Sequence, residues 1–302
     1  MRIIAENLGF PEGPIVMADC SVLCVEIADQ TLARVDAAGN KTVVARTGGG
    51  PNGAAIGPDG ACYICNSGGF EWHAGADGSR RPGLQAPDYS GGRIERVDLR
   101  SGAVTVLYSQ GPHGPLRGPN DIVFDRAGGF WFTDTGKRRP RDMDHGGVYY
   151  ATIDGKSIQE VVYPMNTANG IGLSPDERTL YVAETSSGRL WAFDIEAPGK
   201  LRRGATPNGG RLVAGLPGYQ LFDSLAVEAG GNICVATLFN GGITVISPDG
   251  ASIEHVPLPD AFVTNLCFGG PDMKTAYVTL SSTGRLAALD WPRPGLALLY
   301  GA

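Results

Sequence analysis

The chain lacks long apolar runs and a strong charge, and it shows little helical patterning. None of its 302 residues lies in a run of eighteen apolar residues, so no transmembrane helix is expected. The first residues, MRIIAENLGFPEGP, have no long apolar core followed by small residues, and we expect no signal peptide. The net charge of −6 argues against nucleic acid and against an anionic membrane surface as partners. No G-x-S-x-G motif occurs, which argues against a serine hydrolase.

Cysteine is present in modest number, and its placement favours reduced thiols. Several of the six cysteines lie inside strand-like runs such as VLCVE, ACYIC and NICVA. Cys62 and Cys65 have C-x-x-C spacing, but residues three apart on a strand point to opposite faces, so no zinc or redox pair is expected. Buried thiols are the better interpretation, and we expect a cytoplasmic protein.

What the sequence does contain is an internal repeat. Six segments each hold a short apolar strand, a turn rich in Gly, Pro or Asp, and a second apolar strand; they begin at Phe10, Gly50, Gly118, Thr167, Leu221 and Val263. A third strand follows in each unit: QTLARVD, GRIERVD, GGVYYAT, GRLWAFD, GGITVIS and GRLAALD. Weaker fourth strands follow most of them. Short strands in groups of four, repeated six times, predict an all-β, six-bladed β-propeller with four-stranded blades, formed by residues 1–302 as one domain.

One position of the repeat is polar in every unit. Aligning the six segments on Asn120 gives Glu12, Asn52, Asn120, Asn169, Asp223 and Asn265, at steps of 40, 68, 49, 54 and 42 residues. The first strand of a propeller blade lines the central channel, so these six side chains should converge at its mouth. The alternative is that they only form turns, which Asn and Asp often do. Glu12 is a poor turn former, and a carboxylate or carboxamide in all six units favours a shared site.

The chemistry of this ring, as we call the six residues, favours a hard metal ion. It offers oxygen donors only, which suit calcium, magnesium or manganese better than zinc or copper. Glu12 and Asp223 together contribute a charge of −2. Without a cation, two carboxylates so close would resist ionising together. We therefore expect one divalent cation, with Ca²⁺ first and Mg²⁺, Mn²⁺ or Zn²⁺ as alternatives.

The same segments carry a resemblance to a known family. FPEGP, GPNDIVFD with WFTD, ANGIGLSPDERTLYVAET, and FDSLAVE followed by NGGITVISPDG resemble the senescence-marker-protein/gluconolactonase family, which includes regucalcin-like lactonases. The likeness runs from about Phe10 to Asp290. It implies a six-bladed propeller that holds a divalent cation, often calcium, and hydrolyses lactones. By this resemblance the metal ligands are Glu12, Asn120, Asn169 and Asp223, and Asp223 is also the base.

Two candidate groups for substrate binding lie near the ring in sequence. Asn52 belongs to the ring but not to the four implied ligands, and Asp121 follows Asn120. Arg117 is the nearest arginine to Asn120. It stands three residues before it, whereas regucalcin-type members place an arginine two residues before the matching asparagine.

A long insertion in the second repeat supplies the other candidates. It runs over residues 66–92, and loops of this length in compact domains are usually functional or mobile. As a lid it would bring Trp72 and His73 near substrate; as a solvated loop it would not. Asn66 opens the insertion and is a further substrate-binding candidate. It also belongs with Glu26, Asp134 and Glu184, which end second strands and for which structural support is the favoured role.

The function that the resemblance implies is hydrolysis of a small lactone to its hydroxy acid, with the cation polarising the carbonyl and Asp223 activating water. Nucleophilic attack by Asp223 itself is a variant that the sequence leaves open. Two alternatives remain open. The same ring could hydrolyse phosphotriesters, or the propeller could bind a ligand without catalysis. The predicted partner is a small-molecule lactone.

The chain ends are expected to close the propeller. MRIIAEN and LALLYGA both have strand-like composition and could both join the outer edge of the sixth blade. We expect RIIAE to be the outermost strand there, beside GRLAALD.

Overall fold

The structure is a computed structural model, and it describes residues 1–300. Within them are 29 strands and no helix. The strands of the first three blades, from the channel outwards, are as follows. Blade 1 has β2 (Pro11–Val16), β3 (Val22–Glu26), β4 (Thr31–Val35) and β5 (Lys41–Arg46). Blade 2 has β6 (Pro51–Ile56), β7 (Cys62–Asn66), β10 (Arg93–Val97) and β11 (Val104–Tyr108). Blade 3 has β14 (Pro119–Phe124), β15 (Gly129–Asp134), β16 (Gly146–Thr152) and β17 (Ile158–Met165).

The second half of the chain repeats this architecture. Blade 4 has β18 (Ala168–Leu173), β19 (Thr179–Glu184), β20 (Arg189–Ala197) and β22 (Arg211–Gly215), with β21 (Lys200–Leu201) paired to the end of β20. Blade 5 has β23 (Leu221–Val227), β24 (Ile233–Leu238), β25 (Gly242–Ile246) and β26 (Ile253–Pro257). Blade 6 has β27 (Val263–Gly269), β28 (Thr275–Leu280), β29 (Arg285–Asp290) and β1 (Arg2–Ala5). The predicted six-bladed propeller is confirmed.

The six inner strands form a closed ring. Each contacts the inner strand of the next blade, and β27 of the last blade contacts β2 of the first. Apolar clusters fill the spaces between blades; one of them joins Tyr63 of blade 2 to Phe124 and Phe130 of blade 3. The cores therefore lie between the sheets, and the inner edges are left to line the channel.

A β-bulge interrupts every inner strand at the ring position. The pairing register shifts between Glu12 and Ile15 in blade 1, and at the corresponding place in each of the other five blades. A bulge leaves residues unpaired and turns their side chains away from the sheet. The six bulges thus explain how a polar side chain in an apolar strand reaches the channel.

The chain ends behave differently from each other. Strand β1 pairs antiparallel with β29, so RIIAE is the outermost strand of blade 6, as predicted. The expectation for LALLYGA is wrong in its described part, because residues 296–300 form no strand. This segment leaves blade 6, and the Leu296 amide donates to the Val227 carbonyl of blade 5 at 2.8 Å. It ends with Tyr300 against Phe124 of blade 3, ring centroids 5.9 Å apart. It crosses the end of the channel opposite the ring, where residues 296–299 line a second cavity.

Two small hairpins stand outside the blades. One pairs β12 (Gln110–Gly111) with β13 (Gly114–Pro115). The other lies in the insertion of blade 2 and pairs β8 (Phe70–Ala74) with β9 (Arg80–Gln85). Residues 1–300 contain no helix that could span a membrane.

Candidate functional site

Five of the six ring residues share one cavity at the channel mouth. Glu12, Asn52, Asn120, Asn169 and Asp223 all line a cavity of about 210 Å³. Asp223 is half-buried, and the other four are buried. The repeat therefore predicted correctly that side chains more than 200 residues apart in sequence meet at one place.

Two carboxamide oxygens in this cavity have no hydrogen-bond partner. The side-chain oxygens of Asn120 and Asn169 are fully buried, and no donor in residues 1–300 reaches either of them. A buried acceptor without a donor costs about 1–3 kcal/mol. Both oxygens belong to the predicted ligand set, and a bound cation would satisfy them.

The carboxylates of the site repel each other at short range. Burial, the larger cause, and the charge of Glu12 raise the pKa of Asp223 well above its ordinary value. Burial also raises the pKa of Glu12, although hydrogen bonds from Asn265 and from the Gly13 amide oppose the shift. Asp121 lies close enough that burial and the charge of Glu12 raise its pKa to about 8. In the metal-free chain burial and mutual repulsion disfavour the charged forms of these groups, and a bound cation would oppose both effects.

Asn265, the sixth ring residue, does not line the cavity with the others. Its amide nitrogen donates to Glu12 Oε2 at 2.7 Å, and its oxygen accepts from the Leu266 amide at 2.7 Å. Both donor and acceptor are therefore engaged, and the side chain holds the Glu12 carboxylate in place. Alignment of the repeats alone could not distinguish Asn265 from the other five ring residues.

The donor set fits a hard divalent cation. Glu12 Oε1 accepts no hydrogen bond from the described residues, Asp223 faces the cavity, and the Asn120 and Asn169 oxygens have no donor. Oxygen-only donors of this mixed kind suit calcium, which tolerates irregular geometry. No cluster of three or more His, Cys, Asp or Glu side chains that could hold a metal occurs in residues 1–300. The ring differs from such clusters because half of its four proposed ligands are carboxamides.

The residues that end the second strands have a structural role. Each accepts backbone N–H groups from the segment that leads into its own blade. Glu26 accepts from Gly9, Asp134 from Arg117 and Gly118, Glu184 from Asn166, and Asn66 from Gly50. Asn66 is fully buried and also donates to Glu95, so it lies outside the cavity rather than in it. These bonds fix the approach of the inner strands of blades 1 to 4 to their ring residues.

The hairpin in the insertion covers the cavity mouth. Its Phe70, Pro82, Gly83 and Gln85 all line the cavity. The hairpin rests on other blades, because the Arg80 amide donates to Ser282 O and the Gln85 amide to Arg138 O, each at 2.9 Å.

A buried lysine of blade 3 holds the base of this hairpin. Lys137 Nζ donates to Gly69 O at 2.9 Å and lies 3.8 Å from the centre of the Phe70 ring. Burial lowers the pKa of Lys137 to about 7. The hairpin is thus anchored on blade 3 at its base and on blade 6 towards its tip.

The remaining predicted site residues lie around the cavity rather than in its lining. Trp72 is half-buried and packs on Phe10, ring centroids 5.2 Å apart, while His73 is exposed on the hairpin. Arg117 is exposed, and its backbone, rather than its side chain, bonds Asp134 and Tyr89. Asp121 lies behind the ring and lines the second cavity, which extends towards the opposite end of the channel.

Sequence analysis missed several lining residues that the repeat could have indicated. Phe10, Thr167 and Leu221 line the cavity, and each lies two residues before a ring residue. Ile27, Thr135 and Thr185 line it as well, and each follows the last residue of a second strand. Arg138 and Phe262 line the cavity from loops that carry no such periodic signal.

Comparisons with known proteins agree with this architecture. The family described as SMP-30/Gluconolactonase/LRE-like region matches residues 10–282. A relative from Staphylococcus haemolyticus named lactonase drp35 is 28% identical over 261 residues, which are 86% of this chain and 72% of that relative. Other drp35 relatives align over 46% of this chain and 42% of their own length.

Solved structures share the fold. A gluconolactonase from Xanthomonas campestris superposes with a TM-score of 0.74 at 24% identity, covering 96% of this chain and 89% of the other. A calcium-binding regucalcin from Agrobacterium tumefaciens gives 0.73 at 20% identity, covering 98% and 97%. At these identities the likeness is one of fold. The family match spans most of the chain and includes every ring residue, so this protein belongs to the SMP-30/gluconolactonase/LRE-like family.

Proposed function

We propose that the protein hydrolyses a small lactone to its hydroxy acid with the help of one divalent cation. The observation that carries this proposal is the floor of the mouth cavity. There the unpaired oxygens of Asn120 and Asn169 lie with the mutually repelling carboxylates of Glu12 and Asp223. Family membership and the lactonase name of the drp35 relatives support the same reaction.

The proposed cation is held by Glu12, Asn120, Asn169 and Asp223, with calcium expected first. A divalent cation in such a site supplies Lewis acidity, which polarises a carbonyl oxygen. The regucalcin neighbour is described as a calcium-binding protein, which supports the choice of metal.

The protein's own groups then have distinct tasks. Asp223 faces the cavity and takes a proton from the attacking water. The proton then passes to the endocyclic oxygen of the lactone as its acyl–oxygen bond breaks. Asn52 lines the same floor, and its side chain makes no hydrogen bond to another residue in 1–300. It contacts the substrate there. The hairpin residues Phe70 and Pro82 cover the substrate and exclude bulk water.

A substrate and metal panel tests the proposal. The chelated protein would be assayed on γ- and δ-lactones, sugar lactones and a phosphotriester, alone and with Ca²⁺, Mn²⁺ or Zn²⁺. Lactone hydrolysis that depends on an added metal is expected. If only the phosphotriester were hydrolysed, the protein would be a phosphotriesterase and the proposed lactonase activity would be refuted. Equal turnover with and without chelator would refute the role of the cation.

A further inference from the structure

A row of aromatic rings leads from the protein surface into the mouth cavity. Tyr219 and Phe239 pack with ring centroids 4.9 Å apart and planes tilted by 49°, and the Phe239 ring lies 5.4 Å from that of Phe262. Phe262 lies 6.4 Å from Phe10, which in turn packs on Trp72. Phe262 and Phe10 line the cavity.

The outer half of this row is unusually exposed for aromatic residues. Tyr219 is 76% exposed and Phe239 is 41% exposed. Scattered exposed apolar residues need no explanation, but a contiguous apolar strip that continues into a cavity marks a binding surface. The strip belongs to loops of blades 5 and 6, beside the cavity wall formed by Leu221 and Leu238.

The rest of the cavity wall differs in polarity from this side. Besides the ring residues, blades 3 and 4 contribute Arg138 and the hydroxyl side chains of Thr135, Thr167, Thr185 and Ser186. Apart from the ring residues Glu12 and Asp223 and from Thr264, blades 1, 5 and 6 contribute apolar side chains: Phe10, Ile27, Leu221, Leu238 and Phe262. A ligand in the cavity would therefore turn its polar side towards blades 3 and 4 and its apolar side towards the aromatic row.

We propose that the row from Phe262 through Phe239 to Tyr219 is a subsite for an extended apolar substituent, alkyl or aryl, carried by the lactone. This deepens the proposed function and rests on it for the identity of the reacting group. The heterocycle of the lactone lies over the polar residues of the channel mouth. Its substituent leaves the cavity along the three aromatic side chains. The substrate class is thus a lactone with an apolar chain, in place of a polyhydroxylated sugar lactone.

The test varies chain length and the outer rings together. γ-Lactones with methyl, butyl and octyl side chains would be compared in kcat/KM, and the matching γ-lactams, which resist hydrolysis, would be compared in binding by calorimetry. Each methylene that contacts the row should improve kcat/KM and lactam affinity by about threefold. Tyr219→Ala should weaken both for the octyl compounds by about tenfold and leave the methyl compounds unchanged.

A second variant and a control complete the design. Phe239 has a φ of +67°, a region that asparagine tolerates, so Phe239→Asn should give the same chain-length effect without backbone strain. Tyr163→Ala is the control, because it removes a 55% exposed tyrosine from the outermost strand of blade 3. It should leave kcat/KM and lactam affinity unchanged for every chain length.

The possible outcomes separate this inference from the proposed function. The subsite would be overturned if methyl and octyl lactams bound with equal affinity. It would also be overturned if Tyr219→Ala weakened the binding of both lactams equally. Chain-length-dependent lactam binding that Tyr219→Ala weakens for the octyl compound alone would support the subsite even if no lactone is hydrolysed, and in that case only the proposed reaction would fail.

Discussion

Replacing Asn265 by leucine should weaken metal binding although Asn265 is not a proposed ligand. Its amide nitrogen donates to Glu12 Oε2 at 2.7 Å, and both residues are buried. Leucine has nearly the same volume and no donor. In Asn265→Leu the Glu12 carboxylate would lose one of its two hydrogen bonds, the other being from the Gly13 amide, and would be free to turn.

The size of the effect follows from the kind of bond that is lost. A hydrogen bond to a charged group contributes about 1.5–3 kcal/mol, and outer contacts to metal ligands typically change affinity by about 10- to 100-fold. We therefore expect the Kd for Ca²⁺ to rise by about 10- to 100-fold. The Leu266 amide also loses its acceptor, so the melting temperature of the metal-free variant should fall as well.

Calorimetric titration of the chelated protein with Ca²⁺ measures the change directly. Asn232→Leu is a matched control, because Asn232 Nδ2 donates to Glu228 Oε2 at 2.8 Å, away from the cavity. That variant should lose stability and keep its Ca²⁺ affinity. If Asn265→Leu also keeps wild-type affinity while melting earlier, Asn265 has only a structural role and the reasoning fails.

Three further predictions follow from the same geometry. At saturating metal, Asp223→Asn should lower kcat for a lactone by about 100-fold, the scale of a lost general base, and near-normal kcat would mean that Asp223 acts only in binding. Deleting residues 1–8 removes strand β1 with the buried Ala5 and Leu8, which should lower the melting temperature by about 10 °C; an unchanged value would show that β1 does not seal the propeller. Because the pKa of Asp121 is raised to about 8, the metal-free folded chain keeps a proton that the unfolded chain releases near pH 4. The melting temperature measured in chelator should therefore fall as pH rises from about 4 to about 8, and Asp121→Asn should flatten that dependence; an equal slope in the variant would contradict it.

The sequence by itself determined the blades and the polar position that faces the channel. Each blade is built from contiguous strands with short turns, so its pattern is local and recurs along the chain. Asn120 could be aligned with Glu12 and Asp223 for that reason, and the oxygen-only chemistry of the site followed from residue identity. The N-terminal strand was predictable too, because blade 6 has only three strands of its own.

Only the tertiary structure decided which polar residues share the cavity. A bulge sets the direction of each ring side chain, and a bulge changes pairing without changing the pattern of the sequence. Asn265 therefore bonds Glu12 instead of lining the cavity, and Asp121, next to Asn120, lies towards the opposite end of the channel. Packing between distant segments likewise placed Phe262 beside Phe10 and the hairpin over the mouth, since such contacts depend on the closed ring of blades and leave no local signal.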